Sequence, residues 1–358
     1  MNTYEKKQER LLRLWAEDIK DEKTELPDDD EEDNEEDVVE ERGDSNSEEE
    51  GDSNDEHVDG ESSLQPFFMG KDGVTKWNKQ PYAQRVRKSK SNILRELPGV
   101  KGVAKSALTP FQCWQLFFDD SMLTSIVENT NKSIESISNN YGRSRDAKYT
   151  NLVEMKALIG LIYLAGIHKS SRMNTEDLWN RDGTGIDMFW MTMSLQRFRF
   201  LLRVIRTDDK NTREERKQYD KLAPIREIFD SFVKNCQQHY TISEFTTVDE
   251  KLEAFRGRCG FRLYIPSKPS KYGIKIFALA DAKTYYTFNQ EVYVGQQPPG
   301  PYQVPNDPKN VVLRLIEPIS KTGRNVTTDN WFTSYPLVED LWQNHNLTLL
   351  HYSTIFKP

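Results

Sequence analysis

The 358-residue chain is poor in cysteine, histidine and long apolar runs, and each shortage removes a class of protein. Its three cysteines, Cys113, Cys236 and Cys259, stand far apart and form no C-x-x-C pair. Neither a disulfide framework nor a cysteine-ligated zinc site is expected from them, and a reducing compartment is the default. The longest apolar stretch, Ala157 to Ile167, has 11 residues and falls short of the roughly 20 that cross a bilayer. The first ten residues are polar and charged, unlike a secretory signal. These absences predict a soluble intracellular protein with no membrane partner.

Charge is present in quantity but unevenly placed. The formal net charge is −8, yet residues 28–61 hold 20 Asp and Glu against one Arg42, and residues 62–358 carry +12. A basic body suits a polyanionic partner, because Lys and Arg neutralise phosphates and release condensed counterions; a solvated surface explains the same composition. The acidic block has almost no large apolar side chains, so burial cannot offset the entropy of ordering it. Residues 1–63 therefore read as a disordered acidic tail that either solubilises the chain or binds basic proteins. Leu11, Leu12, Leu14 and Trp15 add a short amphipathic helix near its start.

Residues 64–108 read as a basic extended arm, with ten basic and two acidic residues between Lys71 and Lys105. The cluster Arg85-Val86-Arg87-Lys88-Ser89-Lys90 fits a nuclear import signal, and the nucleus is the expected compartment. A helical region begins at Thr109, where Thr109-Pro110-Phe111-Gln112 supplies an N-cap, a proline at the first helical position and a capping-box partner. It runs to residue 244. Asn151 caps a helix, apolar nearly all round, that ends near Gly166 and is expected to be central and buried. A helix from Ser194 carries Arg197, Arg199, Arg203 and Arg206 beside its apolar stripe, for phosphates or simply for solvent. Leu222 to Val233 marks a further helix, with Pro224 in its opening turn.

The periodicity changes at Phe245. Strand patterns follow in FTTVD, in RLYI from Arg262, in Tyr272 to Asp281 and in Tyr285 to Val294, separated by Pro and Gly signals. Then helix, strand, helix and strand are expected near Val311 to Glu317, Asn325 to Thr328, Pro336 to Trp342 and Leu347 to Leu350. Residues 245–358 thus predict an α/β fold with a mixed sheet, in the element order of a ribonuclease-H-like core.

Two carboxylates end β-branched polar runs in this region, Asp249 in TTVD and Asp329 in NVTTDNW. Taken singly, each has the surroundings of an ordinary turn or cap residue. If both runs are strands, their side chains converge on one sheet edge although 80 residues separate them. Phosphoryl transfer with two Mg²⁺ ions needs such carboxylates, one bridging and others outside, and so a third acidic ligand as well. Between Lys251 and Lys275 lie seven basic residues, Lys251, Arg256, Arg258, Arg262, Lys268, Lys271 and Lys275, and one acidic residue, Glu253. From this run Arg256, Arg258, Arg262, Lys268, Lys271 and Lys275 are the candidate DNA contacts; a solvent-facing loop is the competing reading.

Four blocks carry a resemblance. They are Thr247-Val248-Asp249-Glu250, Phe255-Arg256-Gly257-Arg258, YIPSKPSKYGIK from Tyr264 to Lys275, and VTTDNWFTS from Val326 to Ser334. In order and spacing they resemble the piggyBac transposase family, with weaker similarity reaching back to Gly70. The resemblance implies a cut-and-paste DNA transposase with a ribonuclease-H-like core, three aspartates holding Mg²⁺, TTAA targets and hairpin intermediates. Asp249 and Asp329 match the first two aspartates. Residues 109–244 match the region that serves DNA binding and dimerisation in the family.

The sequence departs from that pattern after Thr348. In the family a third aspartate follows an inserted domain and a cysteine-rich zinc segment closes the chain, whereas this sequence reaches Pro358 with neither. The expectation is a truncated, transposase-derived nuclear DNA-binding protein keeping two of three metal ligands and inactive as written. Two alternatives stay open: an active transposase whose C-terminal part is not in this sequence, and a non-catalytic interaction protein that works through its acidic tail.

Overall fold

In the computed structural model of the chain, the residues described are 39–40, 67–69, 73–74, 76–79, 94, 96–170, 173–266 and 268–351. The helix expected before residue 25, the basic cluster at 85–90 and nearly all of the acidic tail lie outside them. No helix among the described residues is long and apolar enough to cross a membrane.

The helical part opens as its capping chemistry dictates. Helix α1 (Pro110–Phe117) is preceded by Thr109, whose hydroxyl accepts the Gln112 N–H at 3.2 Å while Gln112 Oε1 accepts the Thr109 N–H at 3.1 Å. This reciprocal pair satisfies donors that a helix start otherwise leaves open. Helix α2 (Asp120–Ile137) is capped by Asp119, α3 (Leu152–Ile167) by Asn151, and α6 (Leu195–Val204) by Ser194. Between α3 and α6 lie the short α4 (Thr175–Leu178) and α5 (Asp187–Thr192). Their apolar faces meet in one cluster that includes Leu123, Ile134, Met155, Leu158, Phe189, Phe198 and Leu201.

Helix α3 differs from its expected burial. Met155, Leu158 and Leu161 are inside, but Val153, Ile162, Tyr163 and Ile167 are exposed, because α2 and its neighbours cover a single stripe. Arg197 on α6 also turns inward, holding Glu154 through Nε at 2.8 Å and Nη2 at 2.7 Å. Helix α7 (Lys210–Lys217) and α8 (Arg226–His239) follow. Pro224 falls before α8 rather than inside it, and its carbonyl accepts the Thr207 hydroxyl at 2.6 Å.

Eleven strands are described. Four are short flanking pieces: β2 (Phe67–Met69) pairs antiparallel with β3 (Lys76–Asn78), and β4 (Gly99–Val100) with β5 (Tyr240–Thr241). The main sheet holds β1 (Val39–Glu40), β6 (Phe245–Ala254), β7 (Leu263–Tyr264), β8 (Tyr272–Asp281), β9 (Thr287–Val292), β10 (Asn325–Thr328) and β11 (Thr348–His351). Its central order is β9, β8, β6, β10, β11, the first three antiparallel and the last two parallel to β6. That is a mixed sheet in a mixed α/β fold, as the sequence predicts. β7 and β1 add to the far end of β8.

Alternation along the strands assigns the faces. Val248, Phe277, Leu279 and Val326 point to one side, where helices α9 (Pro308–Ile316) and α10 (Tyr335–Gln343) cover them with Val311, Val312, Leu315, Ile316, Leu337 and Leu341. The intervening residues, Thr247, Asp249 and Thr327 among them, point to the other side.

Candidate metal and nucleic-acid site

β6 and β10 run in parallel with Val326 beside Thr246 and Thr327 beside Thr247. Thr246 and Val248 on β6, and Val326 and Thr328 on β10, are buried under the helices. The odd positions must then face the other way, and Asp249 and Asp329 each lie two residues beyond the Thr247 and Thr327 pair. Asp249 therefore lies on the face away from the helices, and Asp329, the first residue after β10, comes close enough for its charge to act on Asp249; adjacent strands lie about 4.8 Å apart. Across the other edge of β6, Asp249 is paired in register with Ala278 on β8.

One element differs from its expected form. The β-branched run does not end at Asp249, because pairing with β8 carries β6 five residues further, to Ala254 opposite Gly273. Only β10 stops. Asp329 turns the chain there: its Oδ1 accepts the N–H groups of Trp331 at 3.1 Å and Phe332 at 3.2 Å, and its carbonyl accepts the Thr333 hydroxyl at 2.7 Å. Phe332 is buried in the sheet core, while Trp331 lies flat on Phe277, ring centroids 5.8 Å apart and planes inclined by 11°.

The charge of Asp329 acts on Asp249. Partial burial raises the Asp249 pKa above the usual carboxylate value and the negative charge of Asp329 raises it further, against the Glu250 N–H at 2.7 Å and the positive charge of Lys268. A hard cation relieves this repulsion, and two carboxylates supply the oxygen donors that Mg²⁺ prefers. The donor set thus fits such an ion in kind. Among the described residues no group of three or more His, Cys, Asp or Glu side chains is placed to hold a metal.

The basic residues separate into four kinds. Arg256, Arg258 and Lys271 are exposed around the loop between β6 and β8. Arg262 braces that loop, donating from Nη1 to the carbonyls of Arg256 at 3.3 Å and Gly257 at 3.0 Å, with its guanidinium over the Tyr272 ring. Lys268 stands at 3.3 Å from Glu250. Lys275 departs from the expected phosphate contact: it is buried, and its ammonium pairs with Glu250 at 3.2 Å. Strand alternation puts it on the helix-covered face, which a count of basic residues does not register.

Two participants were not singled out in the sequence. Glu250 receives both Lys268 and Lys275; its place beside Asp249 on an alternating strand was the available signal. His351 at the end of β11 lies 3.0 Å from the Thr333 hydroxyl on the Asp329 turn, and no sequence pattern marks it.

The family model for Transposase IS4 matches residues 109–350. The human PiggyBac transposable element-derived protein 3 is 23% identical over 238 residues, covering 65% of this chain and 38% of that protein. Human PiggyBac transposable element-derived protein 2 is 23% identical over 200 residues, covering 52% of this chain and 30% of the relative. Among solved structures, a piggyBac transposase in a synaptic complex with hairpin DNA aligns with a TM-score of 0.66 and 36% identity, over 73% of this chain and 54% of that one. The chain thus spans between about a third and a half of the length of these relatives. With the match running from the first capped helix to the last strand of the sheet, the chain belongs to the piggyBac and IS4 transposase family.

Proposed function

We propose that this chain is a transposase-derived, nuclear DNA-binding protein that brings a phosphodiester to a two-carboxylate divalent-cation site and cleaves it poorly or not at all. The observation that carries the reading is the approach of Asp329, just past the end of β10, to Asp249 on the adjacent β6, with the exposed loop of Arg256, Arg258 and Lys271 beyond the end of β6. The solved transposase that aligns with this chain was captured with hairpin DNA, and residues 62–358 carry +12, which supports a DNA partner.

Arg256, Arg258 and Lys271 neutralise backbone phosphates and set the position of the strand, without reading bases. Asp249 and Asp329 hold the cation, and Lys268 tempers the negative charge there. Held by Asp249 and Asp329, such an ion would supply activation of an attacking hydroxyl and charge stabilisation at the departing oxygen. Two side-chain carboxylates leave most of the coordination sphere to water, so the ion is held weakly and positioned loosely. Slow or absent cleavage follows from that.

A second reading is favoured by the 54% share of the solved transposase that aligns: full cut-and-paste activity in a longer chain that supplies another acidic ligand. Incubating the purified chain with duplex and hairpin DNA in Mg²⁺ distinguishes them. The first reading predicts binding that weakens steeply with salt and little cleavage. Efficient nicking lost in Asp249→Ala overturns it in favour of the second, and no DNA binding at low salt overturns both.

A further inference from the structure

We propose that Lys275 is a positioning residue, an internal clamp that holds the turn bearing Asp329 against the strand bearing Asp249; the proposal rests on the metal-site reading above. Its side chain is 7% exposed and its Nζ lies 3.2 Å from Glu250 Oε2, one residue along β6 from Asp249. The same nitrogen sits over three rings, 5.2 Å from the centroid of Phe277, 5.4 Å from Tyr293 and 5.1 Å from Trp331.

Trp331 is the part of this cage that matters for the site. It is not on the sheet but in the turn after β10, and its N–H is one of the two donors to Asp329 Oδ1. A continuous path of contacts therefore runs from Asp249 through Glu250 and Lys275 to Trp331 and Asp329. Each step has a direction. The ammonium is drawn to the electron-rich faces of the rings and to the Glu250 carboxylate, so it fixes Trp331 flat over Phe277. An apolar side chain at 275 fills the same space, at a cost in stability because Glu250 loses one of its two ammonium partners and keeps Lys268 alone. What it lacks is the pull that holds a half-exposed tryptophan in one place. Burial of a lysine beside a cation site needs a reason of this kind, because a second positive charge there otherwise opposes the ion; pairing with Glu250 on the opposite face removes that conflict.

The test uses the full chain with Lys275→Met, Lys275→Arg, Trp331→Leu and Asp249→Asn, read by amide hydrogen exchange at residues 330–333 and by Mn²⁺ binding followed with electron paramagnetic resonance. Lys275→Met and Trp331→Leu are expected to speed exchange at the Trp331 and Phe332 amides and to weaken Mn²⁺ binding by about fivefold or more, the size of a lost cation–π contact. Lys275→Arg, which keeps a charge that stacks on rings, restores much of both. Unchanged exchange at these amides overturns the proposal. So does faster exchange with Mn²⁺ affinity equal to the unaltered chain, which leaves a packing role alone. If Lys275→Met does not fold, Trp331→Leu decides, because Trp331 is 41% exposed and tolerates truncation. If the unaltered chain binds Mn²⁺ no better than Asp249→Asn, the metal-site reading fails and amide exchange alone judges the clamp.

Discussion

Asp249 carries a raised pKa because partial burial desolvates it and because the charge of Asp329, in the turn that follows the neighbouring strand, acts on it. Ligand binding and proton binding therefore compete at one carboxylate. Divalent-cation affinity is expected to fall as pH drops through the Asp249 pKa, which lies above the model-peptide value near 3.9. Isothermal titration with Mn²⁺ between pH 4 and 7 measures it, and an affinity flat across that range contradicts the coupling.

The same shift has a stability sign. A carboxyl whose folded pKa is raised binds its proton more tightly when folded, so its contribution to stability declines as pH rises from the unfolded to the folded pKa and is constant above. Asp249→Asn removes the repulsion with Asp329. In metal-free buffer at pH 7 its melting temperature should equal or exceed that of the unaltered chain, while the rise in melting temperature caused by Mn²⁺ disappears.

Asp281 predicts the opposite slope. It is fully buried, which opposes its charge, yet the N–H groups of Ser243, Lys283 and Thr284 and the Ser243 hydroxyl hold its carboxyl below the usual range. Its stabilisation is present above the unfolded pKa and is lost as pH falls through the folded one. Asp281→Ala is expected to cost about 2–3 kcal/mol at pH 7, from donors left without a buried acceptor, and less at pH 3. Urea unfolding at the two pH values checks the difference.

At Gly273 the chain has no room for a side chain. A Cβ there meets the Glu253 carbonyl oxygen at 2.4 Å, where β6 and β7 both pair with β8 beneath the basic loop. Gly273→Ala should destabilise by about 1–3 kcal/mol and loosen the loop that carries Arg256 and Arg258. Denaturant midpoints and proteolysis of that loop report the two effects separately.

Phosphate contact by the loop has a salt signature. Substituting Arg256, Arg258 and Lys271 together by Ala should weaken binding to unrelated duplexes alike, and flatten the plot of log affinity against log salt by up to about 0.9 per phosphate contact removed. Fluorescence anisotropy over 50–200 mM NaCl measures both; an unaltered slope assigns the affinity elsewhere.

Local chemistry made much of this fold readable in advance. Thr109, Asn151 and Ser194 announce helix starts because a short side-chain oxygen before an apolar stripe satisfies open N–H groups, and the structure has those caps. Thr-Thr-Val-Asp and Val-Thr-Thr-Asp announce strands through β-branching. Burial was less readable, since it depends on what packs across an element: Lys275 sits in a basic run yet lies inside, and α3 reads as buried yet leaves Val153 and Ile167 open. The length of β6 beyond Asp249 was hidden for the same reason, as its pairing partner on β8 and not its own composition sets where it ends.

Asp249 and Asp329 together are expected to bind a divalent cation. Crystals soaked in Mn²⁺ and measured at the manganese absorption edge test it most directly. An anomalous peak is expected within coordinating distance of both carboxylates, lost in Asp249→Asn. A clean map with no peak between them, at manganese concentrations that saturate the solution signal, contradicts it.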